Sequence, residues 1–268
     1  MINAISDINQ KDTLEKLARV GFITRGIVYG TIGIMAARLA MGFGGTTTDA
    51  NGAIKILSDQ PFGQFLLLLL CVGFAGYALW RFVQAFNKTK THDKKGSLES
   101  VKYIIMGLIN GGLSYFALNL FLNRNPGSSS TQSMTAKLMS QPMGLWLVGL
   151  VGLAFIAIGF YQFYKAYKEK FKDDLMTEQM DSREIEITTK VAKAGLSSRG
   201  VVFCIIGAFL IQSAITHDPS KAKGLDEALK VLIQQPYGAF LLGIVAIGLI
   251  AYSAFSFINA RYNKIAVY

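Results

Sequence analysis

Six runs, at about 20–41, 62–86, 101–122, 143–164, 197–216 and 237–258, contain no Asp or Glu. Each is close to the ~20 residues of helix that cross a bilayer core. In lipid every backbone polar group must be satisfied within the segment, which leaves helices or closed barrels. Barrel strands alternate in polarity, and these runs do not. The six runs leave too little sequence for a separate soluble domain. Apolar residues make up 51% of the chain and charged residues 16%, and the charges gather between the runs. The expected class is therefore an all-α polytopic membrane protein with six transmembrane helices. Residues 1–19 are charged and polar, with no apolar stretch before Val20. No cleavable signal peptide is expected, and the first span serves as the membrane address.

The net charge of +10 follows the same layout. With six spans and a cytoplasmic N-terminus, 20 of the 27 Lys and Arg fall on the cytoplasmic side. The other seven are Arg38, Lys55, Arg124, Lys137, Lys221, Lys223 and Lys230. This positive-inside pattern puts both termini in the cytoplasm and predicts a multi-pass protein of the bacterial inner membrane. The basic charge then suits anionic lipid headgroups. Membrane lipids are the expected partners, with a partner membrane protein possible and nucleic acid not expected.

One short motif recurs at the start of every second run. It reads QPFG at Gln60-Pro61-Phe62-Gly63, QPMG at Gln141-Pro142-Met143-Gly144 and QPYG at Gln235-Pro236-Tyr237-Gly238. Sixteen residues past each proline stand Tyr77, Ile158 and Tyr252, and twenty-one past stand Phe82, Phe163 and Phe257. The intervening runs repeat too, since KLARVGFITRG (16–26) matches KVAKAGLSSRG (190–200). In the middle copy Asn110-Gly111 stands where the others have Arg25-Gly26 and Arg199-Gly200. Three tandem helical hairpins follow: repeat one 16–86, repeat two 101–167 and repeat three 190–262, joined by cytoplasmic linkers 87–100 and 168–189. All lie in one membrane domain, 1–268. Two spans return the chain to its starting side, so the copies share one orientation and a pseudo-threefold axis along the membrane normal is expected. The second linker is charged and reads as a solvated helix or a plain bridge.

Before each Gln-Pro lies a short stretch, clearest in LDEALKVLIQ, with apolar residues at helical spacing. This predicts amphipathic helices on the outer surface. Proline restricts the residue before it and ends such a helix. It also fits the first turn of the following span. The glycine lets another backbone come close. The motif thus reads as a structural corner, with a ligand loop at the outer face as the other reading.

Together these features resemble a bacterial integral-membrane family known as domain of unknown function 1206, from Lys16 to Tyr262. Its pattern is an Arg-Gly near the start of each hairpin, a small-residue loop, an Ala/Leu surface helix, Gln-Pro-Phe-Gly, a Leu-rich span and a basic end. Met143 and Tyr237 depart from the pattern's Phe, and Asn110 from its Arg. The resemblance implies membrane location and a three-repeat layout, and lends no activity, substrate or catalytic residue.

Catalytic chemistry is not legible. His92 and His217 have no partner nearby in sequence, and no nucleophile, zinc or nucleotide motif appears. Cys71 and Cys204 sit singly in apolar runs and read as small buried hydrophobes. No metal, cofactor or enzymatic activity is expected. Proton- and sodium-coupled carriers place a carboxylate or His within the membrane, and these spans hold none, which disfavours cation coupling. Gly26-x-x-x-Gly30 with Gly33, Gly107, Gly111, Gly112, Gly200 and Gly207 reads as close helix packing. Aromatic residues such as Trp80, Tyr161, Tyr164, Tyr167 and Tyr262 read as an interfacial belt.

Arg25 and Arg199 are the candidates for a site. Only about 18 Å of helix, at ~1.5 Å per residue, separates Arg25 from Arg38. That is less than the ~30 Å core, so one of them lies below the headgroups. Three readings stand: snorkelling to phosphates, pairing with helix-end carbonyls, or bidentate binding of an anion or lipid phosphate by Arg25 and Arg199 with Asn110 as a neutral third member. The expected function is a non-enzymatic membrane module that interacts with lipid or partner proteins. The alternative is a small channel or uncoupled transporter for an anionic solute along the pseudo-threefold axis.

Overall fold

The computed structural model describes the backbone of residues 2–89, 94–124 and 131–265, and side chains from residue 12 onward except 87–99. His92 and most of the linker 87–100 lie outside the residues whose side chains are described. Among the described residues the long elements are all helical: α1 (Ile2–Ala40), α2 (Ala50–Ser58), α3 (Gly63–Thr89), α4 (Lys94–Phe121), α5 (Thr131–Met139), α6 (Gly144–Tyr167), α7 (Ser182–Thr216), α8 (Leu225–Ile233) and α9 (Gly238–Tyr262). Six of them, α1, α3, α4, α6, α7 and α9, are long and apolar enough to cross a membrane. The short α2, α5 and α8 precede the three Gln-Pro motifs, as the periodicity predicts.

The chain forms two compact units. The first takes Met1–Val28, Ile54–Pro126 and Ser256–Tyr268. In it α3 packs along α4 through small residues. A Cβ on Gly107 would stand 2.8 Å from the Phe82 ring, and Ser114 donates to the Cys71 carbonyl at 2.8 Å. α1 comes equally close to α3, where a Cβ on Gly21 would stand 2.5 Å from that of Tyr77. Around this approach Ala18, Phe22, Tyr77 and Trp80 form a buried cluster, its three larger rings meeting edge-on. Arg19 caps the end of α9 by donating to the carbonyls of Ala260 (2.7 Å) and Arg261 (2.6 Å). A cation at a helix C-terminus satisfies orphan carbonyls and complements the dipole. Arg19 thus makes a helix-end pairing of the kind considered for Arg25 and Arg199.

The second unit takes Tyr29–Ala53 and Gly127–Phe255. Here α6 packs along α7, with a Cβ on Gly207 placed 2.6 Å from the Gly152 carbonyl and one on Gly159 2.8 Å from that of Gly200. The upper part of α1 meets α9 alike, with Gly33 against Ile250 and the Ala246 carbonyl. Close approach of backbones through small residues is how helices associate where lipid removes the hydrophobic drive. Two of the predicted packing glycines behave differently. Among the described residues a Cβ on Gly111 or Gly112 meets nothing within 4 Å, so neither sits at a close crossing with them.

All three corners have one geometry. The N–H of Gly63, Gly144 and Gly238 donates to the carbonyl of Gln60, Gln141 and Gln235 at 2.8, 2.9 and 2.8 Å. The residue after proline is left-handed each time: Phe62 at φ 67°, Met143 at 62° and Tyr237 at 60°. Proline second and a positive φ third define a type II turn. The sequence reading placed proline in the first turn of the span. The spans begin only at Gly63, Gly144 and Gly238, so proline's fixed φ shapes the turn ahead of the helix. A left-handed bulky residue carries strain of order 1–3 kcal/mol. Phe62, Met143 and Tyr237 also leave their side chains largely exposed.

The linker before α7 is neither plain nor solvated along its length. Helix α7 starts at Ser182 through a capping box, in which Asp181 accepts from the Glu184 N–H at 2.7 Å and Glu184 accepts from the Asp181 N–H at 3.1 Å. Ahead of it Phe171 and Leu175 are fully buried, and the Phe171 ring lies 5.7 Å from that of Phe255. Each such side chain contributes roughly 1.5–3 kcal/mol of burial. Glu169 bridges Lys172 (2.6 Å) and Lys193 (2.6 Å), tying the linker to α7. The hydrogen bond from Lys172, then that from Lys193, holds its carboxyl down to about 2 from an ordinary 4.5. A lowered carboxyl stabilises the fold above its unfolded value, and that contribution is lost as pH falls through the folded one. The difference in melting temperature between wild type and Glu169→Gln is therefore expected to hold steady from pH 8 to about 5. It should shrink as pH falls below about 4.5 towards 2. Thermal scans of the detergent-solubilised protein across that range check this.

Candidate functional site

The first and third hairpins hold the same constellation. A glycine on the odd helix lets the partner helix come close. One turn later an arginine lies on a tyrosine of that partner. In the first unit these are Gly21, Arg25 and Tyr77, with the Arg25 Cζ 4.4 Å from the ring centroid. In the second they are Gly195, Arg199 and Tyr252, with the Arg199 Cζ at 4.3 Å and a Cβ on Gly195 placed 2.6 Å from the Tyr252 Cα. A second contact recurs beside each, Thr24 against Gly73 and Ser198 against Gly248, so tight that a Cβ on either glycine would overlap the hydroxyl oxygen. From the corner glycine to the tyrosine is about 21 Å of helix in both, at ~1.5 Å per residue.

The two clusters differ in charge. Arg199 sits among Tyr29 (5.2 Å), Phe203 (4.9 Å) and Tyr252. Its Nε is buried with no acceptor, and among the described residues no carboxylate pairs with it. Cation–π contact offsets part of the cost of holding this guanidinium below the surface, by roughly 0.5–2 kcal/mol per ring. The Tyr77 cluster contains a second arginine. The Arg81 Cζ lies 4.8 Å from the Tyr77 centroid, 4.3 Å from Trp80 and 5.3 Å from Tyr103. Its Nη1 donates to Gln84 Oε1 at 2.7 Å and its Nη2 to the Tyr77 hydroxyl. Its Nε is buried without an acceptor, as is Trp80 Nε1. Arg25 and Arg81 share one ring, so they stand at most about 9 Å apart. At an effective dielectric of ~20 they repel by roughly 2 kcal/mol.

The middle copy lacks the constellation, and its register differs from the sequence reading by one helical turn. The ring of Phe257 meets Gly26, that of Phe163 meets Gly200, and that of Phe82 meets Gly107 rather than Gly111. Met106 therefore takes the place of Arg25, Ile158 that of the tyrosine and Lys102 that of the glycine. Asn110 takes the repeat position of Tyr29 and Phe203, is 5% exposed, and donates from Nδ2 to the Met106 carbonyl of its own helix at 2.7 Å. It joins neither cluster. Gln60 and Gln235 donate back to the carbonyls of Ile56 (3.2 Å) and Val231 (3.3 Å), a corner-building role.

Sequence reasoning named Arg25 and Arg199 and missed Arg81, Tyr77, Tyr252, Tyr29 and Phe203 as their surroundings. The signal was the pair Tyr77 and Tyr252 at one repeat position, with Ile158 between them. Arg81 was hidden among the basic residues of the span's charged end. Among the described residues no group of His, Cys, Asp and Glu is arranged to hold a metal ion.

A sequence model of the family described as Domain of Unknown Function (DUF1206) matches residues 20–88, 101–169 and 194–263. Those three starts place Arg25, Met106 and Arg199 at one repeat position, in agreement with the glycine–phenylalanine contacts. The chain is 32% identical over 255 residues to the uncharacterized protein YxxB of Bacillus subtilis (strain 168), covering 94% of this chain and 92% of that protein. No solved structure matches.

Proposed function

The chain belongs to the DUF1206 family, and from that premise we propose that it is a non-enzymatic membrane module holding the phosphate groups of lipids at its arginine–tyrosine clusters. The observation that carries this reading is the paired loss in the middle copy. Arginine and tyrosine occur together in hairpins one and three, and Met106 and Ile158 replace both in hairpin two. The arginine and the tyrosine thus come and go as one unit, a seat that the middle hairpin does without. Arg199 supports the reading from another side, since among the described residues its buried Nε–H has no acceptor and no carboxylate pairs with it. Guanidinium groups bind phosphate oxygens bidentately.

In this reading the hairpins are related by a pseudo-threefold rotation. The recurrence of one glycine–phenylalanine contact at Gly26, Gly107 and Gly200 supports it. Both termini face the cytoplasm, supported by the excess of Lys and Arg on that side. The clusters then lie toward the inner leaflet, about 21 Å from the corner glycines, where anionic headgroups are within reach of an arginine stem.

The test is lipid retention. Protein exchanged from phosphatidylglycerol nanodiscs into mild detergent is expected to keep bound lipid, measured by mass spectrometry. Arg25→Ala/Arg199→Ala should lose about tenfold, equivalent to ~1.4 kcal/mol. Proteoliposomes should show no chloride or phosphate flux above empty vesicles. Unchanged retention in the double variant, or flux that the double variant abolishes, overturns the reading, the latter in favour of an anion conduit.

A further inference from the structure

We propose that the Tyr77 cluster is a site for a dianionic phosphate monoester, gripped between Arg25 and Arg81, and that the Arg199 cluster takes a singly charged phosphodiester. The proposal rests on the lipid-phosphate reading above and adds a specificity to it.

Three observations in the first unit point to a doubly charged occupant. Two guanidinium groups share the Tyr77 ring. Arg81 has no carboxylate beside it among the described residues, and its hydrogen bonds there go to neutral groups, Gln84 and the Tyr77 hydroxyl. Two buried N–H donors of the same cluster, Arg81 Nε and Trp80 Nε1, have no acceptor among the described residues, with Trp80 only 2% exposed. Buried donors are paired in nearly all folded proteins, and an orphan calls for an occupant. Like charges this close are stabilised by an anion that matches their number. A phosphate monoester carries about −1.5 to −2 charges near neutrality and three acceptor oxygens. A phosphodiester carries one charge and two free oxygens. That suits Arg199, where a single guanidinium is ringed by Tyr29, Phe203 and Tyr252. Ser256, at the Arg81 position of the third hairpin, brings no charge.

The experiment is native mass spectrometry of the full chain in detergent, titrated with phosphatidic acid, phosphatidylglycerol and inorganic phosphate at pH 7.5. Wild type is expected to bind one phosphatidic acid about tenfold more tightly than phosphatidylglycerol. Arg81→Gln should abolish that preference, and Arg199→Gln should keep it while weakening phosphatidylglycerol. Arg81→Lys keeps the charge but loses the fork and the Nε–H, and should show a preference reduced severalfold. Should Arg81→Gln fail to fold, this variant decides. Displacement of phosphatidic acid by millimolar inorganic phosphate assigns the site to a soluble monoester, and its persistence assigns it to the lipid. A phosphatidic acid preference unchanged in Arg81→Gln, or in Arg81→Lys where the former does not fold, overturns the proposal, while loss of all lipid in Arg25→Ala/Arg199→Ala leaves the broader reading intact.

Discussion

Gly63→Ala is expected to destabilise the protein by at least about 3 kcal/mol, at the upper end of what overpacking costs. A Cβ at Gly63 would overlap the Ser58 carbonyl oxygen, with the Ser58 carbonyl carbon 2.7 Å away and its Cα 3.1 Å away. These are backbone atoms at the end of α2, and no rotamer change relieves them. Gly144 meets the Leu138 carbonyl and Gly238 the Ile233 carbonyl in the same way, so all three alanine variants should behave alike. Gly42→Ala is the contrast. Its φ is 76° but nothing lies within 4 Å, so only the cost of a left-handed alanine applies, about 1–2 kcal/mol. Thermal unfolding in detergent, followed by near-UV circular dichroism, measures both. A Gly63→Ala melting temperature equal to that of wild type would refute the corner geometry.

Gly195→Leu should do comparable harm and should empty the Arg199 cluster as well. A Cβ there would stand 2.6 Å from the Tyr252 Cα and 2.7 Å from its nitrogen. A leucine must push α9 away from α7, and the Arg199 guanidinium then loses its 4.3 Å seat on Tyr252. Close crossings through glycine lose their packing when a large side chain intrudes. We expect a loss of roughly 2–3 kcal/mol and a drop in retained phosphatidylglycerol at least as large as in Arg199→Ala. Gly195→Leu with full retention would mean that the crossing is looser than described. Lys102 already occupies the equivalent place in the middle copy, and this agrees with a hairpin that has no arginine to seat.

Hydropathy alone located the six spans, because twenty residues without a carboxylate have few other fates. The corners were legible because glutamine, proline and glycine punctuate a chain locally. Most of what escaped was tertiary. Asn110-Gly111 mimics Arg25-Gly26 in letters, and only packing against Phe82 shows that Gly107 holds that level. A solvated helix was one reading of the second linker, but its continuity with α7 went unread, although Asp181-Ser-Arg-Glu184 spells a capping box. Phe171 and Leu175 were two apolar residues in a charged stretch, and nothing local told that they dock. Arg81 was read by its charge and its place near the span's end. Its contact with Tyr77 lies one turn back on the same helix, and the i, i+4 spacing alone put it within reach of the sequence.

Helix α7 runs from Ser182 to Thr216 without a proline, a rod of about 52 Å at ~1.5 Å per residue. Lipid covers about 30 Å of such a rod, so a long stiff handle stands clear of the bilayer. Arg199 lies midway, about 26 Å from either tip. That middle stretch is also where the rod is held most closely, since Gly195, Gly200 and Gly207 each meet the backbone of a neighbouring helix.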